Sequence, residues 1–520
     1  MPLYNKSRAR RSVMDTVRYR IISQVATLSS YVVLVRGMSE HEFGVLSLLY
    51  ALIPILSTMA SFGVEQVLRR FEPEYLRAGK LDAAAWLVRT VASIRFCSNV
   101  VLLGLIAALW NFIAPLFQLA PYRLEYIYFC PLLMMHFQAN ILQLTLSSHL
   151  MQRYAIGMTA AQSTAKLIFY VVCLWMGSLT LHLAIIADTI GYGILYAGTR
   201  FAYVRYCRPP AVEKGFKLAA AERKRLLRYG FYNNFNDAGT LMLSGKSDNF
   251  FIAAYLSPVA VGAYSFYSRL NGMLINLLPL RQFSNVIRPF FFSVPPEKAA
   301  ERLPRYFTLL VNLTLCVQLP IAAYAISYHS EIVKVLFGGK FIQHSGLLAV
   351  VVAFSIVDVM SEPATLVAQY AEKAATVLLS KLFLVYNVIA LLALVPAFGL
   401  YGAAVATGSA SMMKNLFIWW HVRDKARWKN FGGVVGSVVA VWGGAIALCY
   451  AVKFAVPAPA VAHLIFGGVV CAGAALIYVR SPGIAISDRR LLSEVMHGRE
   501  LKILRLLGVT LPHGGKSEAA

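Results

Sequence analysis

The stretch LMLSGKSDNFFIAAYL, residues 241–256, places Lys246 and Asp248 two positions apart in a segment otherwise suited to the interior of a lipid bilayer. The whole chain shares this apolar character, since 58% of its 520 residues are hydrophobic and only 14% are charged. This hydrophobic share, with a mean hydropathy of +0.62, is well above that of ordinary soluble domains. We therefore predict an integral membrane protein.

Charge-poor windows long enough to cross a bilayer recur along the chain. A helix of about 20 apolar residues spans roughly 30 Å of hydrocarbon. We predict an all-α fold of about 14 transmembrane helices, with about 12 as the alternative count, arranged as two six-helix lobes around a central cavity plus two C-terminal helices. The predicted spans are residues 16–36, 43–67, 86–113, 123–150, 155–177, 180–204, 227–256, 259–282, 303–326, 344–370, 375–396, 399–421, 432–455 and 460–479.

The polar segment CRPPAVEKGFKLAAAERKRLLR, Cys207–Arg228, carries two prolines and a dense basic run, which is typical of a linker between two membrane halves. At the C-terminus, residues 487–508 alternate apolar and basic groups at helical spacing, which predicts a helix lying on the membrane surface or binding a partner. The predicted parts of the chain are an N-terminal lobe 1–206, a cytoplasmic linker 207–226, a C-terminal lobe 227–421, two further transmembrane helices 432–480 and a cytoplasmic amphipathic tail 481–520.

The formal net charge of +25 could indicate a nucleic-acid partner. However, the basic residues fall in alternate loops under the predicted topology. By the positive-inside rule, this distribution places both termini in the cytoplasm. The same charges attract anionic lipid headgroups. We therefore expect membrane lipids and no nucleic acid as partners.

A polar stripe follows the segment that begins near Arg228. Its members recur at steps of four, three, four and four residues, which places them on one helix face. Such a stripe is costly in lipid and should face the bundle interior or a watery cavity. Lys246 lies about 200° around the axis from Asp248, so the two residues are not a pair within one helix. The stripe consists of Asn233, Asp237, Thr240, Ser244 and Asp248.

Other ionisable residues also fall inside predicted spans. Basic side chains in a water-poor cavity bind phosphate oxygens strongly, and carboxylates could pair with them or carry ions. The alternative for each basic residue is a structural pair between helices, and for Lys166 it is also a side chain that reaches the membrane surface. The candidate substrate-binding cations are Arg95, Lys166, Lys246 and Arg269. The candidate ion-coupling residues are Asn233, Asp237, Ser244, Asp248, Asp358 and Glu362.

Motifs for enzymatic chemistry are absent from the sequence. There is no GxxxxGK[ST] phosphate loop and no HExxH metal site, and the histidines are scattered. We expect no metal, no cofactor and no catalytic residue. The sequence therefore predicts a transport protein rather than an enzyme.

Several stretches resemble the Wzx-type polysaccharide or O-antigen flippases of the multidrug/oligosaccharidyl-lipid/polysaccharide (MOP) superfamily. The resemblance covers roughly residues 16–421, and the last two spans and the tail diverge. It rests on ISQVATLSSYVVLVRGMSEHEFGVLSLLYALIPILSTMASFGVEQVLRRFEPEY at 22–75, KSDNFFIAAYLSPVAVGAYSFYSRL at 246–270, VLFGGKF at 335–341 and NVIALLALVPAFGLYGAAVAT at 387–407.

The resemblance implies a flippase that moves an undecaprenyl-diphosphate-linked oligosaccharide across the bacterial cytoplasmic (inner) membrane by alternating access. Asp248 matches the family's acidic position in the seventh helix, and Arg269 its basic position in the eighth. A polysaccharide polymerase or glycosyltransferases are candidate partners. The alternatives are a membrane-embedded glycan polymerase or transferase, a drug/cation antiporter of the same superfamily, and a scaffold for a polysaccharide synthase.

Overall fold

The computed structural model describes residues 6–177, 179–207, 210, 218–242, 245–276, 296–371, 373–428 and 431–480. Every regular element in these ranges is a helix, which confirms the predicted all-α class. The chain divides into two compact units, Met1–Ser265 and Phe266–Ala520. The predicted lobe limits and linker stay predictions, and the tail helix 487–508 lies outside the described residues.

The described residues of the first unit contain ten α-helices and the start of an eleventh. Residues 227–256, predicted as one span, contain the end of α9 and all of α10. The helices are α1 Lys6–Gly37, α2 Glu40–Met59, α3 Val64–Arg77, α4 Leu81–Ala108, α5 Trp110–Ile113, α6 Arg123–Ser148, α7 Gln152–Trp175, α8 Leu181–Ala202, α9 Ala220–Met242, α10 Gly245–Tyr255 and α11 Pro258–Asn276.

The second unit continues from α11 with helices of very different length. Within α16, Gly399 has φ +58° and ψ −133°, which breaks the helix at the predicted boundary between spans 375–396 and 399–421. The helices are α12 Pro296–Phe337, α13 Gly346–Val357, α14 Ser361–Tyr370, α15 Ala374–Leu379, α16 Phe383–Val422, α17 Phe431–Ser437, α18 Gly444–Ala455 and α19 Ala460–Arg480.

Nine helical segments in the described part of the chain are long and apolar enough to cross a membrane. The chain is therefore a multi-pass membrane protein, and its total number of spans stays a prediction. The segments are Glu40–Met59, Leu81–Ala108, Gln152–Trp175, Leu181–Cys207, Ala299–Phe337, Gly346–Tyr370, Thr376–Val422, Phe431–Ala455 and Ala460–Val479.

The two ends of α2 are fixed by local chemistry. At its start, the Glu42 amide donates to Ser39 Oγ at 3.2 Å and the Ser39 amide donates to Glu42 Oε2 at 3.4 Å, forming a capping box. At its end, Phe62 and Gly63 adopt positive φ values of 46° and 73°. The chain therefore turns before α3, and the predicted single span 43–67 is wrong because it crosses this turn.

The turn between α2 and α3 contacts α9 without any intervening side chain. A Cβ atom on Gly63 would lie only 1.9 Å from the carbonyl oxygen of Gly230. Glycine is therefore required at position 63 both for its left-handed backbone and for this contact. The contact places α3 beside α9, and these two helices form the site described next.

Candidate functional site

A basic groove of about 620 Å³ lies between α3 and α9 in the first unit. Four cationic side chains from the two helices line it together with aromatic rings. One cation comes from α3 and three come from a single stretch of α9. The lining residues are Arg70, Phe71, Ala221, Lys224, Arg225, Arg228, Tyr229, Tyr232 and Asn233.

Helical periodicity explains why the basic side chains of α3 face outward. Leu68, Phe71 and Tyr75 recur at steps of three and four residues and are at most 2% exposed. Arg69 and Arg70 lie on the opposite side of the helix and are exposed. On α9, Leu226 is buried whereas Arg225 and Arg228 are exposed. Each helix therefore packs an apolar face inward, and Arg70 from α3 joins Arg225 and Arg228 from α9 in the groove lining.

One carboxylate partly neutralises the groove. Glu74 accepts hydrogen bonds from Arg225 Nη1 at 3.1 Å and from Arg70 Nη1 at 3.0 Å. The hydrogen bonds from Arg225 are the main reason that the pKa of Glu74 is lowered from its ordinary value. Within the described residues, Lys224 and Arg228 have no carboxylate partner. The groove thus keeps a positive surplus.

Aromatic rings position the guanidinium groups. Phe71 lies beneath Arg225, whose Cζ atom is 4.8 Å from the ring centroid, and is also contacted by Arg70 at 5.5 Å. Tyr229 packs edge-on against Phe71 with their centroids 5.3 Å apart. Cation–π contacts hold an arginine in place while leaving its N–H groups available to an anion. The groove can therefore bind a multivalent anion such as a diphosphate.

The predicted cation Arg95 lies apart from this groove, on α4. Its side chain is 0% exposed, and its Nε atom lies 3.1 Å from Glu65 Oε1. Its Nη1 atom donates to the Ser57 carbonyl at 2.9 Å, and its Cζ atom lies 4.4 Å from the Phe137 centroid. Glu65 Oε2 also accepts from Asn140 Nδ2 at 2.9 Å. Arg95 is thus enclosed in a buried ion pair.

The predicted cation Lys166, on α7, also pairs with a carboxylate. It forms an ion pair with Asp188 of α8, and Tyr170 donates its hydroxyl hydrogen to Asp188 Oδ1 at 2.9 Å. The Asp188 side chain is 0% exposed and that of Lys166 is 17% exposed. This geometry corresponds to the structural-pair alternative rather than to a side chain extended to the membrane surface.

The polar stripe of α9 and α10 is described only in part. Asn233 lines the groove, and its Nδ2 atom donates to the Tyr229 carbonyl at 2.8 Å. Asp248 is 0% exposed and accepts a hydrogen bond from the Tyr264 hydroxyl. The side chains of Asp237, Ser244 and Lys246 lie outside the described residues.

In the second unit, the predicted site residues lie on different helices. Asp358, just after α13, accepts hydrogen bonds from Ser411 Oγ at 2.8 Å and Asn415 Nδ2 at 2.7 Å, both on α16. Glu362 is half-buried near the start of α14, and Arg269 is exposed on α11. The assignment of these residues to substrate binding or ion coupling stays a prediction.

The groove itself was not predicted from the sequence. Lys224 and Arg225 fall in the predicted linker 207–226 and Arg228 at the start of the predicted lobe 227–421, and all three were interpreted only as a topology signal and an attraction for anionic headgroups. The available signal was the spacing of Arg225, Arg228 and Tyr232, which places two cations and an aromatic ring on neighbouring positions of one helix face. The position of Arg70 of α3 beside these residues depends on tertiary packing, so the spacing along the chain does not predict it.

Residues 12–293 match the family model described as polysaccharide biosynthesis protein. The chain belongs to the polysaccharide biosynthesis protein family. The match contains all of α3 and α9, so both helices of the groove lie in the part of the chain that the family shares. No curated protein matches the sequence.

The fold of this polysaccharide biosynthesis protein is similar to that of known transporters. One similar structure is the lipid II flippase MurJ in an inward closed conformation, with a TM-score of 0.63 and 13% identity, covering 89% of this chain and 97% of that one. Another is an inward-facing multidrug resistance MATE family transporter of the MOP superfamily, with a TM-score of 0.63 and 12% identity, covering 81% and 99%. These similarities show that the chain has the same fold as these two proteins.

Proposed function

We propose that this protein is a flippase of the bacterial inner membrane that moves undecaprenyl-diphosphate-linked oligosaccharide to the periplasmic leaflet. Its family and its transporter fold support membrane export in polysaccharide biosynthesis. The observation that carries the proposed substrate is the cationic groove between α3 and α9. A glycan and a diphosphate cannot cross hydrocarbon unaided, whereas the polyprenyl tail can remain in lipid.

The groove chemistry fits a diphosphate head. Arginine presents planar pairs of N–H donors that match phosphate oxygens, and lysine adds a point charge. Lys224 and Arg228 supply cations that lack a carboxylate partner in the described structure, while Arg70 and Arg225 share Glu74. A diphosphate can bind Lys224 and Arg228 directly. It can also compete with Glu74 for the two arginines that share this carboxylate.

The positive-inside rule supports a position of the groove on the cytoplasmic side, where the substrate is made. The groove lies beyond the C-terminal end of α2 and includes the basic N-terminal half of α9. Basic residues flanking membrane helices are concentrated on the cytoplasmic side. The groove is therefore a loading site at the cytoplasmic face, where the lipid-linked sugar is assembled. Membrane lipids and the enzymes that make or polymerise the glycan are the proposed partners.

Intramembrane residues complete the proposed pathway. Lys246 and Arg269 stay the proposed further substrate-binding cations, and carboxylates such as Asp248 are the proposed groups that couple an ion to the movement. Arg95 and Lys166 hold helices together, because each is paired with a carboxylate. A drug/cation antiporter is the less favoured candidate, because a positive groove repels cationic drugs.

A cell-based experiment tests the proposed function. In a strain that lacks this protein, the variant Lys224→Ala/Arg228→Ala should insert normally but restore less than a tenth of the surface polysaccharide. Arg69→Ala/Arg223→Ala is the matched control, since it removes the same charge from exposed positions on the same two helices outside the groove lining. Full polysaccharide production by the groove variant, at equal protein amount, would reject the proposal.

A further inference from the structure

Four large apolar side chains are exposed beside the groove. Met59 and Phe62 come from the end of α2 and its turn, and Leu227 and Phe231 come from α9. Their exposed fractions are 58%, 61%, 73% and 60%. We call these four residues the apolar strip. Exposed apolar side chains grouped on elements that contact each other mark a binding site more often than isolated exposed residues do.

The apolar strip and the cationic groove share α9. Leu227 and Phe231 are four residues apart and lie on one helix face. Phe231 lies only about 60° around the helix axis from Arg228, which lines the groove. The Phe62 carbonyl oxygen would be 3.3 Å from a Cβ atom placed on Gly230, so the turn containing Phe62 lies against the same part of α9.

The backbone of Phe62 provides an independent observation. Its φ is +46°, in the left-handed region that bulky residues rarely adopt. Glycine would adopt this conformation without strain. The aromatic ring is nevertheless 61% exposed, so burial within the protein does not account for the strain. Strain of this kind concentrates at functional sites, which points to a ligand that contacts the ring.

We propose that the apolar strip binds the isoprenoid units next to the diphosphate while the groove binds the diphosphate itself. This inference rests on the proposed function and adds a tail-binding subsite to it. The two parts of the substrate are covalently joined, so a site for both must place apolar and cationic surfaces side by side. The shared helix α9 meets this requirement. The subsite fixes the direction in which the isoprenoid chain extends from the groove.

Two water-soluble probes separate the subsites. Inorganic pyrophosphate carries the head alone, and farnesyl diphosphate carries the head with a short isoprenoid chain. Binding is measured on the full-length protein held in a lipid-free amphipathic polymer, so that no bilayer competes for the chain. The wild-type protein should bind farnesyl diphosphate on the order of tenfold more tightly than pyrophosphate.

The variants are chosen so that the fold survives. Phe62→Gly relieves the backbone strain and should fold at least as well as the wild type. It should lose most of the preference for farnesyl diphosphate while keeping its affinity for pyrophosphate, and Leu227→Ser/Phe231→Ser should do the same. Phe201→Ala removes an aromatic ring that is 64% exposed on α8 and serves as the control that keeps the preference.

The outcomes distinguish this inference from the proposed function. Equal affinity of the wild-type protein for both probes, or a full preference retained by both strip variants, overturns the apolar strip as a subsite. Pyrophosphate binding that is lost in Lys224→Ala/Arg228→Ala would still support the groove in either case. If neither probe binds the wild-type protein, both the subsite and the groove proposal are overturned.

Discussion

Arg225 places its Nη1 atom 3.1 Å from Glu74 Oε1 and so joins α9 to α3 along the wall of the groove. Arg70 contacts the other oxygen of the same carboxylate at 3.0 Å. Glu74 is therefore the internal counter-charge of the groove. An anionic ligand has to compete with this one carboxylate for two arginines.

Glu74→Gln should strengthen anion binding. Removing the counter-charge leaves Arg70 and Arg225 available to the ligand, and exposed ion pairs of this kind contribute up to about 1 kcal/mol, or roughly fivefold in affinity. Pyrophosphate affinity should rise by about this factor in low salt, and the gain should shrink at higher ionic strength. Titration of the purified protein with pyrophosphate at two salt concentrations measures the change in affinity. Weaker binding by Glu74→Gln would contradict the assigned role of Glu74.

Arg95→Met should destabilise the first unit. It leaves Glu65 with a largely buried charge, because the Glu65 side chain is only 15% exposed. Breaking a buried pair from one side costs about 3–5 kcal/mol, whereas replacing both partners is far less costly. Thermal unfolding should show a large loss of stability for Arg95→Met, and most of this stability should return in Arg95→Met/Glu65→Leu. If the single variant is as stable as the wild type, the pair has no structural role.

Glu72 should make stability depend on pH. It lies on α3 outside the membrane spans, is 1% exposed, and burial raises its pKa from 4.5 to about 8. Between these values the native chain keeps a proton that the unfolded chain releases, so stability falls as pH rises, by up to about 1.4 kcal/mol per unit. His149 Nε2 lies 3.9 Å from this carboxyl group. Between about pH 5 and pH 8, the interval of the two pKa values, the free energy of unfolding of Glu72→Gln should depend less on pH than that of the wild type. An unchanged slope would refute this assignment.

Gly63→Ala should disrupt the junction of α3 and α9. The added methyl group meets the Gly230 carbonyl and also occupies a positive φ, so the cost should exceed about 2 kcal/mol. Gly79→Ala is the matched control, because Gly79 has φ +72° with no atom within 4 Å of its Cβ position. Equal unfolding temperatures for the two variants would show that the contact with Gly230 is unimportant.

Long-range composition made the fold class predictable. Membrane helices must satisfy their backbone hydrogen bonds internally and present apolar side chains, so spans such as 460–479 are visible without any knowledge of packing. The helix break at Gly399 also lies where the boundary between spans 375–396 and 399–421 was predicted. The end of α2 was not, because Ser61, Phe62 and Gly63 leave the apolar pattern unbroken and only backbone geometry reveals the turn.

The site was less predictable than the fold. The sequence identified Arg95 and Lys166 as unusual intramembrane cations, but their partners Glu65 and Asp188 lie on other helices. Pairing between helices depends on which helix faces contact each other. These contacts are set by tertiary packing and do not follow from the spacing of residues along one chain. For the same reason, the meeting of Arg70 with Arg225 could not be inferred, although both residues were counted in the basic loops.

The groove between α3 and α9 is proposed to load a diphosphate-linked glycan for transport. The most direct measurement is translocation of a purified undecaprenyl-diphosphate-linked oligosaccharide across proteoliposomes containing the full-length protein. Wild type and Arg69→Ala/Arg223→Ala should move the lipid at similar initial rates, while Lys224→Ala/Arg228→Ala should be at least about tenfold slower. Equal rates for all three proteins, or no translocation by the wild type, would contradict a loading role of the groove.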